Sequence, residues 1–188
     1  VAIAEEELIT NGSFRQVGIN LTTPLDFTTW LNTGGTTSDI TANSFTTSGS
    51  GAGVYFNLTT NKTYKINVSG VTGDISLRYR DGGGAGTVLG AFDTDLYFDT
   101  NGFGSPNIYI RSLSATTATV TNVSVQEVGQ DWNLNTPPWG VVSNAIASDG
   151  TSTADANQSL FPTIGKSYKI IYTIASISSG GYKIGFGG

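Results

Sequence analysis

The stretch "NKTYKINVSG", residues 61–70, decides the fold. Tyr64, Ile66 and Val68 alternate with Thr63, Lys65 and Asn67. A period of two with one apolar face is the pattern of a half-buried β-strand. The phrase returns as "GKSYKIIYTI", residues 165–174, at an offset of 104 residues. Lys62, Tyr64, Lys65 and Ile66 fall on Lys166, Tyr168, Lys169 and Ile170. Tyr168, Ile170, Tyr172 and Ile174 again lie on one face, so a second half-buried strand is predicted there.

Upstream the match loosens. Trp30 opens "WLNTGG" and Trp132 opens "WNLNTPPWG", each followed by small polar residues before the shared strand. A repeat this long exceeds a solenoid unit and indicates two copies of one domain. The first copy spans residues 8–128, after an N-terminal arm or linker at 1–7. Its predicted strands are "ELITNGSF", "GVYFNL", "TYKINV", "ISLRYR", "LYFDT", "NIYIRSL" and "ATVTNVSVQEV". Turn signals separate them at Thr60-Asn61, Asp81-Gly82-Gly83-Gly84 and Asn101-Gly102. Many short strands without an amphipathic helix predict an all-β, antiparallel, jelly-roll-like β-sandwich.

Residues 129–188 read as an incomplete second copy joined through "VGQD". The first copy runs on for 66 residues past Lys62, the second for 22 past Lys166. Open edges and half a core are the expected result. The chain is therefore expected to continue past Gly188, with strands from a neighbouring chain as the alternative. Val1 is not an initiator, so the chain reads as processed or as a window on a longer protein.

Composition narrows the function. Of 188 residues 38% are hydrophobic and only 12% charged, with Gly, Ser, Thr and Asn in their place. The net charge is -5 and no basic stripe occurs, so no nucleic-acid partner is expected. No apolar run approaches the ~18 residues of a membrane-spanning helix. No signal-peptide pattern opens the chain. The absence of Cys removes disulfides and thiolate chemistry, and the absence of His removes the commonest general base. Seven Asn-x-Ser/Thr triplets begin at Asn11, Asn20, Asn57, Asn61, Asn67, Asn122 and Asn157, and read as composition rather than as acceptor sites.

Three groups of residues are candidates for a site. In "FDTDLYFDTNG" the carboxylates of Asp93, Asp95 and Asp99 share one face by alternation. They read as solvated strand edges, with a structural calcium site as the alternative and a catalytic pair a remote one. No cofactor is expected otherwise. "GKS" at 165–167 lacks the glycine and the helix of a phosphate loop, and "DGGGAGT" at 81–87 reads as a hairpin loop. Aromatic rings offer flat faces for sugars: Trp30, Trp132, Trp139, Tyr55, Tyr79, Tyr97 and Tyr109. Trp30 and Trp132 read as core because they recur, whereas Trp139 follows Pro137-Pro138 in a loop. Arg78 and Arg80 flank Tyr79. If Leu77 and Tyr79 face inward, both arginines face solvent and are placed for hydroxyls or for a neighbouring subunit. The candidate glycan-binding set is thus Trp139, Tyr79, Arg78, Arg80 and Tyr97.

"ELITNGSF" followed by Trp30 is similar to the opening of carbohydrate-binding-module-like jelly rolls, where an Asn-Gly-x-Phe turn precedes a tryptophan. "DWNLNTPPWGVVSNAIASDG" with the segment 160–188, and the ending "VTNVSVQEV", resemble tandem modules of bacteriophage tail-fibre and other virion-appendage proteins. The resemblance implies a non-enzymatic virion structural protein at the particle surface: a tail fibre, head fibre or capsid decoration. Its partners would be other virion proteins or copies of itself, and cell-surface polysaccharide. In many such modules acidic residues in the opening turn hold calcium, but here the turn reads "NGSFR". The alternatives are a carbohydrate-binding module of a secreted bacterial enzyme or adhesin, and an architectural filament or surface-layer subunit.

Overall fold

The computed structural model describes residues 17–33, 36–130, 132–134, 139–142, 145–151, 153–158, 163–178, 181 and 183–185. The N-terminal arm and the predicted strand "ELITNGSF" lie outside these residues.

"NKTYKINVSG" becomes the centre of a β-sandwich. The strands in chain order are β1 Val17–Asn20, β2 Leu31–Asn32, β3 Thr37–Ser38, β4 Ser44–Thr47, β5 Gly53–Asn57 and β6 Thr63–Thr72. They continue as β7 Ile75–Asp81, β8 Thr87–Gly90, β9 Leu96–Asp99, β10 Pro106–Ser112 and β11 Thr116–Val128. One sheet runs β3-β4-β11-β6-β9, with β1 also on β11; the other runs β2-β5-β10-β7-β8. From β4 to β11 the chain crosses between the sheets at every step except the β7–β8 hairpin, giving the orders 4-11-6-9 and 5-10-7-8 of a jelly roll. All the strand pairs are antiparallel. The described residues contain no α-helix and only one 3-10 turn, Phe27–Thr29, capped by the Asp26 carboxylate.

The alternation in β6 sorts its side chains. Tyr64, Ile66 and Val68 are buried, while Lys65 and Asn67 are partly exposed on the other face. Each such burial stabilises the fold by about 1.5–3 kcal/mol. The core joins both sheets, with Phe27, Phe45, Val120, Val123 and Val125 facing Val54, Leu77, Ile108 and Ile110. Trp30 lies in it, as its recurrence predicts, with its ring 5.0 Å from Phe27. At Gly70, opposite Thr121, the inward parity switches: Val68 and Val123 face the core on one side, and Val71 and Val120 pack against it on the other. Gly70 has φ +62, and a Cβ there would lie 1.8 Å from Thr121 Oγ1.

The entry to β6 is a built turn. Asn61 takes φ +56, and the Tyr64 hydroxyl accepts the Thr59 N–H at 3.1 Å. Thr100 bridges from β9's end: its hydroxyl accepts the Lys62 N–H at 2.9 Å and donates to the Thr59 carbonyl at 2.8 Å.

Beyond β11, β12 (Trp139–Val142) and β13 (Ala145–Ser148) form a hairpin, and Asn133 bridges to Asn157. Val128, Leu134 and Val141 make a second small core with Tyr97, Trp132, Trp139 and Ile146 against it. The strand predicted within 165–174 is a correction. No strand occurs among described residues 163–178, and these side chains are exposed, Ile171 by 76%. Alternation alone does not make a strand; β6 is held by ladders to β9 and β11, and no ladder reaches residues 168–174. The turn before it nevertheless repeats the first. Gly165 takes φ +80 where Asn61 takes φ +56, and the Tyr168 hydroxyl accepts the Thr163 N–H at 2.7 Å.

Candidate saccharide-binding face

The outer face of the five-stranded sheet gathers most of the arginine in the chain. Strand β10 turns Ile108 and Ile110 inward, so Asn107, Tyr109 and Arg111 face outward. Strand β7 turns Leu77 and Tyr79 inward, so Ser76, Arg78 and Arg80 face outward. Antiparallel register lines these residues into rows. One row runs Leu31, Tyr55, Tyr109, Arg78 and Val88 across five strands. On one side lie Asn107 and Arg80, and on the other Arg111 and Ser76.

Arg80 is the anchor. It is only 8% exposed, and its Cζ sits 4.3 Å from the Tyr55 ring centroid and 4.2 Å from that of Tyr109. The two rings meet edge to face at 6.4 Å. A guanidinium over two aromatic faces is held by their quadrupoles. Its Nε donates to Asn107 Oδ1 at 2.8 Å and its Nη1 to the Gly84 carbonyl at 3.1 Å. Arg78 donates from Nη1 to the Gly86 carbonyl at 2.8 Å and from Nε to Ser76 Oγ at 3.0 Å. The glycine loop 82–86 is therefore folded onto the face by two arginines.

Tyr109 is fully buried and donates its hydroxyl to the Gly51 carbonyl. Burial pushes its phenol above the usual value, opposed in part by a hydrogen bond with Thr33 and then by the charges of Arg80, Arg111 and Arg78.

The structure divides the predicted glycan-binding residues. Arg78 and Arg80 share the outer face, as alternation anticipates, but Arg80 is buried between tyrosines rather than turned to solvent. Tyr79 turns inward instead: its partly buried ring packs against the core, 4.7 Å from Phe98 and 6.0 Å from Phe103. Trp139 and Tyr97 come together elsewhere, against the second small core. Trp139 is half-buried, and its Nε1 donates to the Ala154 carbonyl at 2.6 Å, which corrects its reading as an exposed loop residue. Asn107 and Arg111 are site residues that the sequence reading missed. The signal was the inward pair Ile108 and Ile110 in "NIYIRSL"; the neighbours it needed come from the register.

The three aspartates are separately engaged. Asp95 pairs with Lys65 at 2.8 Å and accepts from Asn67 at 3.1 Å. This partnership holds its carboxyl below the ordinary value and the Lys65 amine above its own. Asp93, at φ +61, accepts the Gly70 N–H, and Asp99 accepts the Asn101 N–H at 2.7 Å. Among the described residues they do not form a group of three able to hold a metal ion. Among the same residues no helix is long and apolar enough to cross a membrane.

No protein-family model, curated protein or solved structure matches this chain.

Proposed function

We propose that this chain is a non-enzymatic adhesion and assembly protein whose sandwich binds surface glycans through the outer face of the sheet β2-β5-β10-β7-β8. The observation that carries this reading is the outward row of Leu31, Tyr55, Arg78 and Val88, with Arg80 held against the rings of Tyr55 and the buried Tyr109. Rings and guanidinium forks held rigid lose little entropy on binding, and they suit the apolar faces and hydroxyls of a sugar. The non-enzymatic part rests on composition, which supplies neither His nor Cys.

The particle assignment, a bacteriophage tail fibre, head fibre or capsid decoration, rests on the resemblance of segments 131–150 and 160–188. The tandem reading, with 8–128 as one module and 129–188 as the start of another, is supported by the same hydrogen bond at the same offset: Thr59 to Tyr64, and Thr163 to Tyr168. A secreted carbohydrate-binding module would use the same face.

A glycan array probed with the whole chain tests the binding reading, and failure to retain any saccharide rejects it. Immunogold microscopy of particles from the source culture tests the location. Gold at a fixed place on virions supports a virion component, and gold on cells with bare particles favours the secreted module.

A further inference from the structure

We infer that the saccharide this face takes is acidic, a carboxylate-bearing uronate chain, with Arg111 and Arg78 as its anion-recognising residues. The inference rests on the saccharide-binding reading of the same face and names its ligand class.

Charge is the first argument. The chain holds four arginines and is acidic overall at -5, yet Arg78, Arg80 and Arg111 all lie on this one face. None of them has a carboxylate partner among the described residues. The two ion pairs there, Lys62–Glu127 and Lys65–Asp95, both belong to the other sheet. Three cations gathered without a counter-charge repel one another, and an arriving anion relieves that repulsion.

Arg111 is the second argument. It lies on the row beside Tyr109, its guanidinium donates no hydrogen bond among the described residues, and its Nε is buried without a partner. A buried guanidinium N–H without an acceptor is costly, whereas Arg80 and Arg78 are anchored by carbonyls and side chains. The planar fork of arginine fits a carboxylate in bidentate fashion, which an ammonium does not. Along the neighbouring row, the exposed Leu31 with the partly exposed Tyr55 towards one edge of the sheet, and the exposed Val88 at the other, supply an apolar floor for the rings of a sugar chain. A bare acidic peptide would use the charge but leave that floor uncovered.

The test is calorimetric titration of the whole chain with hexamers of galacturonate, glucuronate and alginate, each against its carboxyl-reduced counterpart. At least one uronate binds, its reduced form binds at least about tenfold more weakly, and affinity falls between about 50 and about 300 mM salt. Arg111→Gln weakens uronate binding roughly ten- to a hundredfold and leaves the reduced form unchanged. Arg78→Gln, checked for folding by urea titration, weakens it in the same direction. Equal binding of both forms overturns the acidic class while the saccharide reading survives. Binding of none of the panel, with neutral glycans retained on the array, does the same. Binding of neither kind sinks both readings. Polyglutamate binding as tightly as the uronate overturns the inference in favour of an acidic peptide.

Discussion

Replacing Gly70 by alanine tests the break that lets β6 and β11 face the core along their whole length. Two separate costs arise. The residue keeps φ +62, a left-handed conformation that costs an L side chain about 1–2 kcal/mol. The new Cβ also meets Thr121, at 1.8 Å from Oγ1, 2.9 Å from Cβ and 3.1 Å from Cγ2. Rotating the hydroxyl away removes the first clash but not the second, because Thr121 Cβ stays put. Overpacking of this kind costs about 1–3 kcal/mol. The sum, about 2–5 kcal/mol, is a large part of the 5–15 kcal/mol of an ordinary domain. Urea unfolding followed by tryptophan fluorescence reads it as a lowered midpoint, with Trp30 reporting from inside the core. The double variant Gly70→Ala/Thr121→Gly separates the terms. Without the Thr121 side chain only the backbone cost remains, so the cycle returns a coupling of about 1–3 kcal/mol. A single variant within about 0.5 kcal/mol of the parent refutes the reasoning. A cost unchanged by the second substitution refutes its steric half.

Other outcomes follow from the same contacts. Tyr64→Phe removes the acceptor of the Thr59 N–H and costs about 0.5–1.5 kcal/mol of stability, whereas Tyr168→Phe, in a stretch without a ladder, leaves the midpoint unchanged in the same urea assay. Leu77→Ala opens a cavity in the five-stranded sheet's inner face and costs about 2–5 kcal/mol by the same measurement. Backbone N–H groups of Gly104 and then Ser105 hold the Asp81 carboxyl below its ordinary value. Its contribution is therefore present above the unfolded value of about 4 and is lost as pH falls through the lower folded one. Asp81→Asn accordingly flattens the fall in stability below about pH 4 in acid titrations followed by circular dichroism, and an unchanged slope contradicts the assignment.

How legible the fold was depended on where the information sits. β5, β6, β7, β9, β10 and β11 are readable because aromatic and β-branched residues alternate within each. β3 and β4, rich in Ser and Thr, and β8, with its bulge against Leu77, carry no such signal; neighbours recruit them into the ladder. The stretch 168–174 shows the converse, with alternation as good as that of β6 and no ladder. The site was half legible for a related reason. Alternation places Arg78 and Arg80 on the outer face, but only register brings Tyr55, Tyr109 and Asn107 onto Arg80. The same alternation turns Tyr79 inward, against Phe98 and Phe103.

The most direct test of the binding face is a 1H–15N titration of the whole chain with the tightest saccharide from the array. The account predicts shifts at the amides of Tyr55, Arg78, Arg80, Tyr109 and Arg111, with little change at Trp139 and Tyr97. Shifts confined to Trp139 and Tyr97, or to the loops at either end of the sandwich, would contradict it.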